Sequence, residues 1–358
     1  MPFQLIRNDI SKVKADAIVN SANPEPMVGR GSDMAVYQAA GYEKLLKERK
    51  KIGSIKPGEA AVTEAFDLNA KYIIHTVGPV WYGGTHREME TLASCYRKSL
   101  MLAKQLKCES IAFPMISTGV YGFPKDLALS TALKEIEAFL MEDEMDVTLV
   151  VYDRSSYQLS DTLNNSVRRY IYERRTSEGM RHEYSASYSA PSETSSIFSE
   201  SEPVSHQAPK ADSQHAYIPA EKRKNEAPRP SLRPSLSIRD LLRRHERTFQ
   251  EQLLYLIDQK GMSDVEVYKR ANLDRKLFSK IRSNKNYTPK KKTALALAVA
   301  LQLDIDETKD LLSRASLALS PSSAFDLIVE YCIINGKYSI FEINSILFEY
   351  DQQMLDDF

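Results

Sequence analysis

At 358 residues the chain exceeds one ordinary domain, and 42% apolar residues can fill more than one core. The formal net charge of zero hides a division: residues 221–300 carry 20 Lys or Arg against 9 Asp or Glu (+11), and residues 301–358 carry 3 against 11 (−8). A surface facing a polyanion therefore suits the first of these segments and is disfavoured in the second.

From the N-terminus, short runs rich in β-branched and aromatic residues alternate with helical stretches. Phe3–Ile6, Ala17–Asn20, Glu59–Thr63, Tyr72–Thr76, Ser110–Phe113 and Val147–Tyr152 read as strands. Asp33–Arg49, Arg87–Leu106 and Lys125–Met141 read as helices, the last with Leu129, Leu133, Ile136 and Leu140 on one side. The alternation predicts a layered α/β domain over residues 1–170, in which ligands gather at the carboxyl ends of the strands. Residues 176–237, including SYSAPSETSSIFSESEPVSH, are rich in Ser, Pro and charge and read as a flexible linker. Residues 238–358 are helical in pattern throughout. Ser263 with Glu266 marks one helix start, Asp274 another, and Gly261 a stop.

The three cysteines, Cys95, Cys108 and Cys332, have neither zinc-site nor disulfide-framework spacing, so a reducing cytoplasm is the expected compartment. No signal-peptide pattern opens the chain, and no run approaches the roughly 18 apolar residues of a membrane span. No membrane partner is expected. Neither a metal nor a cofactor is called for, and the absence of GxxxxGK[ST] disfavours a nucleotide triphosphatase.

Two loops after strand ends carry the functional question. ISTGVYGFP, residues 116–124, follows one strand and leads through Pro124 into a helix, with Gly119 and Gly122 free to take positive φ. Alone it reads equally as a tight strand-to-helix turn or as a set of backbone amides aimed at a phosphate. VNSANPEPMVGRGSD, residues 19–33, repeats the arrangement after another strand, with Asn20 and Asn23 at the strand end, Gly29 and Gly31 in the turn, and Asp33 at the next helix start. The pair suggests a cradle for a diphosphate, with Asn23 and Asp33 near whatever is attached beyond it.

These stretches, with NDI at 8–10, PGEAAVTEAFDL at 57–68 and YIIHTVGP at 72–79, resemble the macro domain over Phe3 to about Tyr157. Within that family they resemble the ADP-ribosyl hydrolases and O-acetyl-ADP-ribose deacetylases. The resemblance implies a three-layer α/β/α fold with a mixed sheet and, as partner, ADP-ribose or an ADP-ribosylated protein. Asp9 and Ile10 would read adenine, and Tyr157 would stack on it in preference to Tyr152. Asn20 stands at the strand end under the first loop. Gly29, Arg30, Gly31 and Ser32 would wrap the proximal diphosphate and terminal ribose. Ser117, Thr118, Gly119, Val120, Tyr121 and Gly122 would wrap the remainder, with Tyr121 flanking that ribose. Asn23 would hold a ribose hydroxyl and Asp33 would orient or deprotonate water in cleaving an ester at the terminal ribose. Asp33 also suits a helix N-cap, a role that leaves a binder without catalysis. Arg30 and Ser32 depart from the family pattern, and Arg30 would pair with a phosphate or fill the ribose pocket. His75 reads as a structural histidine, and Trp81 as a residue at the pocket edge.

The basic stretch from Val265 to Leu312 resembles the helix-turn-helix of phage-repressor-like domains, within a separate all-helical C-terminal domain. The resemblance implies duplex DNA or a protein as partner. Arg275, Lys276 and Ser279 would face base edges, and Lys280, Arg282 and Lys285 would meet phosphates. A solvated basic face on a small bundle explains the same residues.

Overall fold

The computed structural model describes residues 2–187 and 247–355. Residues up to Gly179, together with those from Arg247 onward, form one compact unit. The expected linker from residue 188, and the expected start of the helical region at 238, lie outside the described residues. The part of that linker that is described, residues 176–187, continues a helix that begins at Asp161.

Six strands form one sheet: β1 (Phe3–Arg7), β2 (Ala17–Ser21), β3 (Ala60–Glu64), β4 (Tyr72–Thr76), β5 (Ser110–Pro114) and β6 (Asp146–Val151). Their order is β1-β6-β5-β2-β4-β3, parallel except for β3, which runs antiparallel to β4. The inner strands are apolar on both faces, so both faces need a cover. Ile18, Ile73, Ala112 and Val150 meet Val36, Tyr37 and Leu45 on α1 (Ser32–Ala40) and α2 (Tyr42–Ile52). Val19, Ile111 and Phe113 meet Leu92, Tyr96 and Leu129 on α3 (Glu88–Gln105) and α4 (Lys125–Glu142). The result is the expected three-layer α/β/α arrangement with a mixed sheet. The helix expected as a single Asp33–Arg49 segment breaks at Gly41, whose φ of 89° no ordinary side chain adopts readily, giving α1 and α2.

After α5 (Asp161–Ser187), the described residues of the all-helical C-terminal part form α6 (Phe249–Lys260), α7 (Asp264–Arg270), α8 (Arg275–Ser283), α9 (Lys291–Ala300), α10 (Ile305–Ser313), α11 (Ala324–Ile334) and α12 (Ile340–Glu349). Thr248 with Glu251 and Asp304 with Glu307 close reciprocal caps on α6 and α10. Gly261 ends α6 in the left-handed conformation, as its position predicts.

The helical part shares its apolar core with the α3–α4 side of the sheet. Phe3 packs edge-on against Phe341, with ring centroids 4.6 Å apart. Pro2 turns its carbonyl toward β6 and accepts from the Val147 N–H at 2.7 Å, so Phe3 turns its own polar groups outward. The Asn272 amide takes both: Phe3 N–H donates to Oδ1 at 3.1 Å, and Nδ2 donates to the Phe3 carbonyl at 3.0 Å. Asn272 is the turn residue between α7 and α8, at φ 51°. Lys269 on α7 donates to the carbonyls of Met141 and Asp143 at the end of α4.

Candidate functional site

Two clefts open at the carboxyl ends of β1, β6, β5 and β2. The first, about 380 Å3, is lined by Asn8, Asp9, Ile10, Pro114, Thr118, Val150, Tyr152 and Ser156. The second, about 400 Å3, is lined by Asn23, Val28, Gly29, Arg30, Asp33, Ser117, Val120 and Tyr121. Gly31, Ser32, Met115 and Gly119 line both, so the clefts join between the two glycine loops. A larger cavity, about 530 Å3, lies at the opposite strand ends, near Lys14, Asp16 and Lys71. Its Lys71 and Asp16 pair with each other at 3.0 Å, and neither glycine loop lines it.

Asp33 stands in the first turn of α1, 3% exposed. It does not cap α1, because the cap position belongs to Gly31. Its carboxylate instead ties β2 to the first loop: Oδ1 accepts from Asn20 Nδ2 at 2.6 Å, and Oδ2 accepts the Gly29 N–H. A Cβ on Gly29 would lie 2.9 Å from Asn23 Nδ2 and 3.0 Å from Asp33 Oδ2, so a side chain here would press on both polar tips. Burial raises the Asp33 pKa, opposed by the hydrogen bonds from Asn20 and Gly29 and by the Arg49 charge. A carboxylate raised in this way is a better base than an exposed one.

Asn20 is fully buried and donates from Nδ2 to His75 Nδ1 as well, at 3.3 Å. Nδ1 must therefore accept, and His75 carries its proton on Nε2, which donates to Thr63 Oγ1 at 3.0 Å. Burial first, then the Arg49 charge, lowers the His75 pKa to about 3. His75 is thus a neutral structural residue, as expected, fixing the amide that fixes Asp33. Arg49, buried on α2, braces the first loop by donating to the carbonyls of Asn23, Pro24 and Gly53. Sequence reasoning missed it; a Lys/Arg-rich helix end gives no sign of which cation turns inward.

In the second loop the positive φ belongs to Ser117 (65°) and Gly122 (65°), and Gly119 does not adopt it. Gly122 N–H donates to Gly119 O at 3.0 Å and Phe123 N–H to Ser117 O at 3.1 Å, closing the turn. Gly122 thus shapes the loop without offering its amide. The amides of Thr118, Gly119, Val120 and Tyr121 find no backbone acceptor among the described residues. Ser117, 5% exposed, leaves its hydroxyl without a partner among the described residues, at the wall of the second cleft. Tyr121 donates to Asn23 Oδ1 at 3.4 Å, tying one loop to the other. Arg30 is exposed in this cleft and makes no ion pair among the described residues.

Tyr157, expected to stack on adenine, lines neither cleft. It is 4% exposed, packs against Phe348 at 5.0 Å and donates its hydroxyl to Ser345 O at 2.5 Å. Tyr152, 71% exposed, lines the first cleft instead. Strand β6 ends at Val151, and the short 3-10 turn Arg154–Ser156 redirects the chain, which strand alternation does not foresee. Trp81 packs on Phe123 at 4.7 Å and backs the second loop without lining either cleft. Arg275, Lys276, Ser279, Lys280, Arg282 and Lys285 are exposed on α8 or just beyond it, away from these clefts, and Arg282 pairs with Asp264.

The family model described as "Macro domain" matches residues 19–132. A macro domain-containing protein of Methanosarcina mazei is 49% identical over 43% of this chain and 83% of its own length. A Cronobacter turicensis protein named O-acetyl-ADP-ribose deacetylase is 42% identical over 45% of this chain and 94% of its own. The solved Oceanobacillus iheyensis macrodomain with ADP is 40% identical over 43% of this chain and 84% of its own, with a TM-score of 0.41. Both glycine loops lie within the stretch that the family model matches, a curated relative is nearly half identical over 83% of its own length, and the chain belongs to the macro domain family.

Proposed function

We propose that the chain binds ADP-ribose along the joined clefts and hydrolyses an ester at its terminal ribose. The adenine lies by Asp9 in the first cleft, with Tyr152 taking the stacking place. The diphosphate lies where the clefts join, against the amides of residues 118–121 and the N-terminus of α1, and Arg30 adds a cation there. The terminal ribose lies by Asn23. The observation that carries the reaction is Asp33, a buried carboxylate with a raised pKa at the wall of the second cleft alone. Water attacks the ester carbonyl while Asp33 takes its proton, and the ribose oxygen leaves as an alcohol, so ester and water become acid and alcohol. Esters are activated enough for positioning to matter, and each charge-assisted hydrogen bond contributes roughly 1.5–3 kcal/mol. The name of the Cronobacter relative supports the reaction class.

O-acetyl-ADP-ribose and, separately, a protein carrying Asp- or Glu-linked ADP-ribose are the substrates to test. Wild type is expected to turn over at least one, and Asp33→Ala to lower the rate by roughly a hundredfold or more. No turnover of either, or an undiminished rate in Asp33→Ala, refutes hydrolysis. Calorimetric binding of ADP-ribose without turnover leaves a reader, a use that the exposed Arg30 in the same cleft also suits.

A further inference from the structure

The first cleft has two outer walls, and both are fastened to the C-terminal helical part by one residue. One wall, Asn8–Ile10, begins immediately after Arg7 at the end of β1. The other, Tyr152 and Ser156, flanks Arg154. Asp351, in the turn after α12 at φ 52°, accepts from Arg7 Nη1 with Oδ1 and from Arg154 Nη2 with Oδ2 at 2.5 Å. Arg7 also donates from Nη2 to Phe348 O at 3.1 Å and lies 4.5 Å over the Phe348 ring. That ring packs on Tyr157, which follows Ser156 directly.

We propose that Asp351 is a positioning residue for the adenosine cleft, holding its two walls at a fixed separation and making the helical part a component of the nucleotide site. The inference rests on the ADP-ribose reading for its ligand. Two arginines that would repel one another share one carboxylate, so Asp351 draws together the outer rims of the walls, beyond the Asn8 N–H to Val151 O bond that pairs the strand ends. Exposed ion pairs add little to stability, so removing this one leaves the chain folded and changes the order of the walls. A cleft ordered in advance binds more tightly than one ordered by its ligand. By reciprocity, ADP-ribose in the cleft strengthens the docking of the helical part, and a partner that pulls α12 away releases nucleotide.

The test compares full-length wild type, Asp351→Ala and Asp351→Glu. Amide hydrogen exchange without ligand is expected to quicken at residues 8–12 and 152–157 in Asp351→Ala, with the rest of the sheet unchanged. Calorimetry is expected to show ADP-ribose binding weakened by roughly tenfold. The preference for ADP-ribose over its inosine counterpart is expected to fall, and Asp351→Glu to recover most of both. Unchanged exchange in both segments, or unchanged affinity and base preference with unchanged melting, overturns the proposal. If wild type binds no ADP-ribose the functional reading fails instead, and the exchange measurement still decides whether Asp351 holds the walls.

Discussion

Replacing His75 by glutamine tests whether the buried chain from Thr63 through His75 and Asn20 to Asp33 has one fixed protonation state. In the folded protein His75 has a pKa of about 3 because its ring is buried near Arg49, whereas the ordinary value is 6.5. A depressed folded pKa means that stability is fully present above the unfolded pKa and declines as pH falls toward the folded one. Between pH 6.5 and pH 3 the unfolded chain gains a proton that the folded chain refuses, costing about 1.4 kcal/mol per pH unit. At pH 5 the wild type has thus lost about 2 kcal/mol through this one residue. A glutamine amide has nothing to titrate, so the His75→Gln variant, whatever its absolute stability, escapes this loss. Urea unfolding of both proteins at pH 7.5, 6.5, 5.5 and 5.0 measures the difference, and the other histidines cancel in it. The gap between wild type and variant should shrink by about 2 kcal/mol from pH 7.5 to pH 5. A gap constant within about 0.5 kcal/mol over that range would refute the neutral assignment of His75.

Two further substitutions probe packing under the site and at the junction with the helices. A Cβ on Gly78 would lie 2.0 Å from Ser117 Oγ and 2.8 Å from Ile116 Cγ2, so Gly78→Ala is expected to displace the second glycine loop. It should cost roughly 1–3 kcal/mol in urea unfolding and weaken ADP-ribose in calorimetry; unchanged values would mean that Ser117 does not sit tightly there. Asn272→Ala strips partners from both outward groups of Phe3 and should cost about 1–3 kcal/mol in the same unfolding assay, whereas a surface substitution stays within about 0.5.

The sheet was legible because its strands are short β-branched runs separated by helices with sustained apolar spacing. Only the ends of these elements moved, by a residue or two. Both glycine loops were legible too, since a Gly-rich turn between a strand and a helix has few uses. What escaped was long-range. Gly41 breaks a helix whose apolar spacing runs straight through it, and Ser117 takes the left-handed conformation expected of Gly119, because closure of the loop onto Phe123 sets its backbone. Tyr157 lines neither cleft because the partner that buries it, α12, lies nearly two hundred positions away, and Tyr152 stands in the first cleft instead. Nothing periodic in either segment announces that meeting. The acidic C-terminal helices find partners that their own segment does not announce, among them Arg7, Arg154 and Tyr157.

The pairing of Asn272 with Phe3 also bears on how the sheet avoids sticking to other chains. An outermost strand displays a row of unused amide and carbonyl groups that invites another strand to add on, with aggregation as the outcome. Here a side-chain amide imitates such a strand for one residue, and Phe341 of the helical part packs on the Phe3 ring beside it. Shortening the chain before Arg247 would uncover that border together with the rings of Phe3 and Tyr157. The helical part therefore works as a guard of the sheet even in a cell that holds no ADP-ribose.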